Sequence, residues 1–384
     1  MFRSSSVGPA CALLASVFAL VGCHGSAPIV RVLSGDLVVG HEITPDAYAA
    51  VLAGSLLERD GRKVAALLQY RRATDADSRS AVAPAAMARV LCALGLARES
   101  EKALAVAMER DPASSAVAIA RATCAATPKA RFDELAKAAT SEPLSIDLEV
   151  ALAEAEPSAQ RGLARIEAAL LLHRASPSLA AAGAALALSA GRPRRAAELA
   201  LDAARLSPSA VPAALAVAER LADGGALIEG RALSAGLVDG VRSAMLARAP
   251  RVALMAVDEA LLSGDARRAA MRATRVRLSL ATVAGRALLW RSEAVARELL
   301  PLLVESSPGE AAAVQLALGE AATRPVGGDV APAIALAVLL RARSSVSTID
   351  ATQALALTAT AVVVDPKDTL LVRAKADLAR SGAN

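Results

Sequence analysis

Aromatic side chains are almost missing from this chain. Its 384 residues include one tryptophan, two tyrosines and three phenylalanines. That argues against binding modes that stack rings on bases or sugars, which need several exposed aromatic faces. Histidine is scarce too, at His24, His41 and His173. "HEITP" at 41–45 lacks the second histidine of HExxH. His173 precedes "RASP" near an expected helix end, and reads as a surface imidazole beside the last carbonyls. There is no CxxC and no Cys/His cluster at metal spacing, so neither a zinc site nor a thioredoxin-like centre is expected. Neither GxGxxG nor GxxxxGK[ST] occurs, which removes the usual phosphate cradles. "ALSAG" at 232–236 lacks the first glycine of a nucleophile elbow and follows no strand. Glu154 and Glu156 read as a solvated helix face, not as a glycosidase pair. No catalytic residue, metal ligand or small-molecule cofactor is assigned, and an enzyme site would have to hide in the irregular stretches 209–249 or 309–345.

Charge of one sign is lacking as well. The chain has 43 basic and 38 acidic residues, for a net charge of +5, and Arg3 lies in the leader described below. The basic runs "RPRR" (192–195) and "ARR" (266–268) are short, separated and placed where helices begin. They read as solvated helix surface, so no nucleic-acid partner is expected. Long apolar runs are missing beyond residue 30. The longest uncharged stretch, near 175–191, is broken by Pro177, serines and glycines, so no internal membrane span is expected.

What the chain has in excess is alanine. The hydrophobic share is 55%, and the surplus over ordinary proteins is small side chains. Alanine is the best helix former and a poor strand former, and it lets helices approach closely. An all-α protein follows. Trp290, the lone tryptophan, reads as inter-helix packing or as a binding anchor.

The start of the chain differs. Arg3 and the uncharged run Val7–Val21 have the layout of a secretory leader. The run ends in Leu20-Val21-Gly22-Cys23, which resembles the bacterial lipobox. That resemblance implies cleavage before Cys23, a diacylglyceryl group on its thiol and an acylated amino terminus. Several acyl chains on one residue anchor a protein essentially permanently. The alternatives are ordinary cleavage after Ala27, where "GSA" fits a small-x-small site, or an uncleaved helix. His24 in place of aspartate points to the outer membrane, at its periplasmic face. Cys11 leaves with the leader. Cys92 and Cys124 remain as two small buried hydrophobes, or as the disulfide that an oxidising compartment permits.

Residues 23–43 read as a tether with a small hairpin, Val30–Leu33 and Leu37–Val39 flanking Ser34-Gly35-Asp36. Thr44-Pro45-Asp46 then opens helical spacing that runs to the end. An Ala/Leu-rich stretch closing in acid or serine and then proline recurs at 103–112, 134–143, 169–177, 200–208, 300–308 and 356–366. Pro112, Pro143, Pro177 and Pro208 are spaced 31, 34 and 31 residues apart. That beat is one helix–turn–helix unit.

The beat resembles the tetratricopeptide repeat. In that family small residues hold the 8th, 20th and 27th places, a bulky one the 24th and proline the 32nd. A unit from Ala47 has Gly54, Ala66, Tyr70 and Ala73, with Gly61 at its turn and Ser78 in the proline place. The next has Ala88, Ser100, Leu104, Ala107 and Pro112, with Gly95 at the turn. The unit from Pro177 has Ala184, Ala196, Ala200, Ala203 and Pro208, with Gly191 at the turn. The expected fold is an α-solenoid of stacked antiparallel helix pairs. It divides into a tetratricopeptide-like array over 44–208, degenerate helical repeats over 209–322, a linker at 323–332, and a C-terminal repeat with a capping helix over 333–384. Residues 209–249 and 309–345 lose the beat.

The resemblance places the binding surface on the first helix of each unit. It carries over to Tyr48, Val51, Ser55 and Glu58, to Val82, Ala85, Arg89 and Cys92, and to Ser178, Ala181, Ala185 and Leu188. Tyr48 is either a binding anchor or packing for the hairpin. The implied function is a membrane-anchored protein–protein interaction scaffold whose partners are other envelope proteins or peptides. A specialised alternative is an envelope-assembly factor, by analogy with β-barrel assembly subunits, secretin pilotins and peptidoglycan-synthase activators.

Overall fold

The computed structural model describes residues 29–33, 36–40, 44–141, 145–241, 245–322, 326, 330–344, 351–362 and 364–381. The leader, the lipobox Leu20-Val21-Gly22, Cys23 and most of the expected linker lie outside them. Two compact units divide the chain, Met1–Glu156 and Pro157–Asn384.

In the first unit, strands β1 (Ile29–Leu33) and β2 (Asp36–Gly40) pair antiparallel, Ile29 opposite Gly40 and Leu33 opposite Asp36. Seven helices follow: α1 (Pro45–Arg59), α2 (Lys63–Ala76), α3 (Val82–Ala93), α4 (Ala97–Arg110), α5 (Ser115–Cys124), α6 (Pro128–Ser141) and α7 (Ile146–Ala155). The second unit holds α8 (Ala159–Leu172), α9 (Pro177–Ser189), α10 (Pro193–Leu206), α11 (Val211–Asp223), α12 (Leu227–Gly240), α13 (Pro250–Leu262) and α14 (Ala266–Val276). It continues through α15 (Leu280–Leu289), α16 (Glu293–Ser306), α17 (Pro308–Ala317), α18 (Pro332–Ser344), α19 (Ala351–Val362) and α20 (Thr369–Ser381). Apart from the hairpin, each unit is all-α, built of stacked antiparallel helix pairs.

Helix starts follow the sequence signals. Thr44 Oγ1 accepts from the Ala47 N–H at 3.3 Å, with Pro45 at the first helical position. Ser176 does the same for α9, accepting from Leu179 at 3.1 Å ahead of Pro177. Each cap satisfies one donor that the first helical turn leaves unpaired.

Seven of the described helices end in one device. After α1, Gly61 takes φ +75°. Its N–H donates to the Glu58 carbonyl at 3.0 Å, and the Arg62 N–H donates to the Leu57 carbonyl at 2.8 Å. These two hydrogen bonds close orphan carbonyls and turn the chain back. The same left-handed position recurs at Gly95, Gly191, Gly225, Gly264 and Gly319, and at Arg291 with φ +59°. Gly191 to Gly225 keeps the step of Gly61 to Gly95, so α11 and α12 form a regular pair within 209–249, where the prolines lose the beat. Glycine marks the period there because the turn needs its φ, whereas proline is only one way to begin the next helix.

Small residues set how closely the rods pack. Ala66, Ala73, Ala88, Ala107, Ala184, Ala196 and Ala203 are all buried. Tyr70 is buried against Gly54, where an added Cβ would lie 2.6 Å from the ring. At Gly285 on α15 the neighbour is main chain, and a Cβ would sit 2.6 Å from the Ile334 nitrogen of α18.

Two arginines are buried among these helices. Arg286 of α15 donates through Nε and Nη2 to the Asp258 carboxylate of α13, at 2.6 and 2.5 Å. Its Nη1 donates to Asp368. The other oxygen of Asp368 caps α20, accepting from Leu370 at 3.2 Å and Leu371 at 3.3 Å. One guanidinium therefore ties α13, α15 and the final helix together. Burial works against its charge, but the two carboxylates outweigh that and hold its pKa above the ordinary arginine value. Arg272 of α14 repeats the plan, bidentate to Asp239 of α12 at 3.0 and 2.6 Å and paired with Glu259 of α13. Deleting one member of such a pair leaves a buried charge at a cost of about 3–5 kcal/mol.

The main-chain contact at Gly285 gives a direct test. Gly285→Ala gains helix propensity but forces α15 away from α18, and we expect a net loss of about 2 kcal/mol, visible as a lower melting temperature. An unchanged or higher melting temperature would show that α15 and α18 are not packed main chain to main chain.

Candidate binding surface

The expected surface residues fall on α1, α3 and α9. Along α1, Tyr48 is half-buried, and Val51 packs against the buried alanines 50, 73 and 83. Ser55 is exposed, and its hydroxyl donates to the Val51 carbonyl at 3.0 Å. One turn on, Glu58 is gripped by Arg89 of α3, Nε to Oε1 at 3.1 Å and Nη2 to Oε2 at 2.7 Å. The Tyr70 hydroxyl of α2 donates to Glu58 Oε2 at 2.8 Å and lies 3.3 Å from Ser55 Oγ. Ser55, Glu58 and Arg89 thus meet in one cluster completed by Tyr70, which spans two successive helix pairs. Val82 is half-buried and Ala85 is buried, so Ala85 lines the core. In the second unit Ser178 and Ala185 are exposed, while Leu188 packs partly against the core that runs from Leu163 to Val276.

Cys92 differs from its expected place on an open surface. It is bonded to Cys124, with 5.5 Å between the two Cα atoms. The reading of two separate buried thiols fails because α3 and α5 pack at the separation a disulfide needs. A link across 32 residues constrains the unfolded chain by about 3–4 kcal/mol in the loop-entropy account. Ser100 Oγ lies 2.9 Å from the Cys92 sulfur and 3.3 Å from that of Cys124, and it donates to the Ala88 carbonyl at 2.9 Å.

The electrostatics of the cluster follow from its packing. Burial, with the Glu58 carboxylate beside it, pushes the Tyr70 hydroxyl up to about 12, although the Ser55 contact pulls the other way. Burial opposes the Arg89 charge too, but its bonds to Glu58 win and raise its pKa. The cluster is an internally satisfied ion pair with one edge in solvent. It offers shape and hydrogen-bond acceptors, not a free charge.

The reactive-residue candidates sit in ordinary helical settings. Ser234 of "ALSAG" is buried inside α12, and its hydroxyl donates to the Gly230 carbonyl at 2.7 Å. His173 is the C-cap of α8. Among the described residues, no group of three or more His, Cys, Asp or Glu could hold a metal ion. Likewise, no described helix is long and apolar enough to cross a membrane. Trp290 closes α15 with the Arg231 guanidinium over its ring, 5.4 Å from the centroid, a cation–π contact.

No protein-family model and no curated protein matches the chain. Solved structures similar to parts of it include TTC0263, a thermophilic tetratricopeptide protein of Thermus thermophilus. It is 21% identical over 46% of this chain and 98% of that one, with a TM-score of 0.36. Pseudomonas aeruginosa pilF is 17% identical over 60% of this chain and 90% of its own, with a TM-score of 0.30. The P58(IPK) tetratricopeptide domain is 14% identical over 88% of this chain and 98% of its own, with a TM-score of 0.22. Likeness at this level carries nothing about partner or activity.

The raised Tyr70 hydroxyl has a consequence for stability. Below pH 10 the group is neutral in both folded and unfolded chains and adds no pH dependence. Between pH 10 and about 12 the unfolded chain ionises while the folded chain does not, so stability falls by up to about 2–3 kcal/mol. Denaturant titrations across this range should show a steeper loss for the native chain than for Tyr70→Phe. Equal slopes would mean that Tyr70 is not buried beside Glu58.

Proposed function

We propose that this chain is a non-enzymatic interaction scaffold, held at the periplasmic face of the outer membrane by lipid on Cys23, that binds other envelope proteins or peptides. The observation that supports it most is repetition. Within each unit the same helix pair recurs, closed by the same left-handed turn at Gly61 and Gly95 in the first and at Gly191, Gly225, Gly264 and Arg291 in the second, and such repetition builds a surface from residues far apart in sequence, as extended ligands require. The half-exposed row Tyr48, Val51, Ser55 and Glu58, braced by Arg89, is where a partner segment docks. The ion pair fixes the row and lowers the entropy lost on binding.

Photo-crosslinking in native envelopes tests this. A crosslinker at Ser55 should trap a specific partner, whereas one at Glu101, exposed on α4, should not. Cys23→Ala should move the chain out of the membrane fraction. No specific adduct at Ser55, or the same adducts from both positions, contradicts the docking row. Membrane retention of the Cys23 variant contradicts the anchor.

A further inference from the structure

The second unit contains a groove that the first-helix surface does not explain. It has a volume of about 440 Å³ and lies between α8 and α10, with Ala180 of α9 at its base. Apart from Ala180, its helical lining comes from second helices by register, whereas the expected binding positions are on first helices. Leu170, Leu199 and Leu206 form its apolar lining, and Arg174, Arg205 and Asp202 its polar rim. Arg195 also reaches it, but that guanidinium is committed to Glu167 at 2.8 Å and Glu198 at 3.2 Å. Arg174 and Arg205 are exposed and make no hydrogen bond or ion pair with any described residue. The groove therefore carries two unspent guanidiniums against one free carboxylate, a local excess of one positive charge over a leucine floor.

Its surroundings point to a polypeptide. Beside Leu170 in sequence, Leu171 and Leu172 close α8 and are 72% and 76% exposed. They extend the apolar surface next to the groove's leucine floor. A groove of this size accepts one or two large side chains.

We propose that this groove binds an acidic, leucine-rich peptide segment of a partner protein. A leucine-type side chain fills the space over Leu170, Leu199 and Leu206. Glutamate or aspartate carboxylates flanking it accept from Arg174 and Arg205, and Asp202 accepts a peptide N–H. The inference deepens the scaffold reading, because it names the chemistry of one partner segment, but it assigns that segment to a face separate from Ser55, Glu58 and Arg89.

The probe is a fluorescein-labelled, C-terminally amidated peptide, Leu-Glu-Glu-Leu-Leu, titrated by anisotropy against the full chain. Saturable binding is expected, and Arg174→Ala/Arg205→Ala should weaken it by about tenfold. Both arginines are exposed, so helical content and melting temperature should not change, and circular dichroism checks this. Glu58→Ala/Arg89→Ala should leave the affinity unaltered, which separates this site from the first-helix surface. A Leu-Lys-Lys-Leu-Leu peptide should not bind. The proposal is overturned if the acidic peptide fails to bind, if the folded arginine variant binds it equally well, or if the lysine peptide binds as tightly.

Discussion

Close approach of helices through alanine and glycine is the constraint on which this structure depends. An alanine buries little more than a methyl group, so no single contact contributes much to stability. The fold compensates by making the contacts short and numerous. Gly54 beneath Tyr70 and Gly285 against the main chain of α18 show the limit of that approach. A chain with 2% aromatic residues cannot fill wide gaps between rods, so its helices must come together with almost nothing between them. Each pair can then return sharply, which is why a left-handed turn closes α1, α3, α9, α11, α13, α15 and α17.

Charge does in this protein what large side chains do elsewhere. Arg89, Arg272 and Arg286 each reach across from one helix to carboxylates on its neighbours. An arginine fork is planar and bidentate, so it fixes direction as well as distance. In a core of alanines, whose contacts are smooth and poorly directional, such forks set the register of one helix on the next. Arg286 goes furthest, because the carboxylate it holds is also the N-cap of α20, so the last helix is positioned and capped by the same group. Where Arg89 does this at the solvent edge, it holds Glu58 of the preceding pair in place with both charges paired.

The fold is legible in the sequence because its determinants are local. Thr44-Pro45-Asp46 and Ser176-Pro177 announce helix starts, and Gly61, Gly95 and Gly191 announce turns. The pair α11 and α12 is obscured when the prolines are weighed above the glycines, although Gly225 keeps the step. The side-chain clusters are not legible, since they join residues far apart. Glu58 and Arg89 are separated by 31 positions, and Arg286 and Asp368 by 82. Arg286 does leave a trace. It is the only charged residue of α15, with no acid three or four residues to either side, which is how a charge paired outside its own helix looks. The repeat template puts Cys92 on an open face because it cannot foresee a bond to Cys124. The groove between α8 and α10 needs three helices to exist at all.

Amide hydrogen exchange on the purified chain, read by mass spectrometry, tests the packed-pair account most directly. Small-residue packing predicts slow exchange inside the helices of every pair from α9 to α16, punctuated by fast exchange at the turns around 191, 225, 264 and 291. Uniformly fast exchange, or protection running unbroken through those four turns, would contradict it.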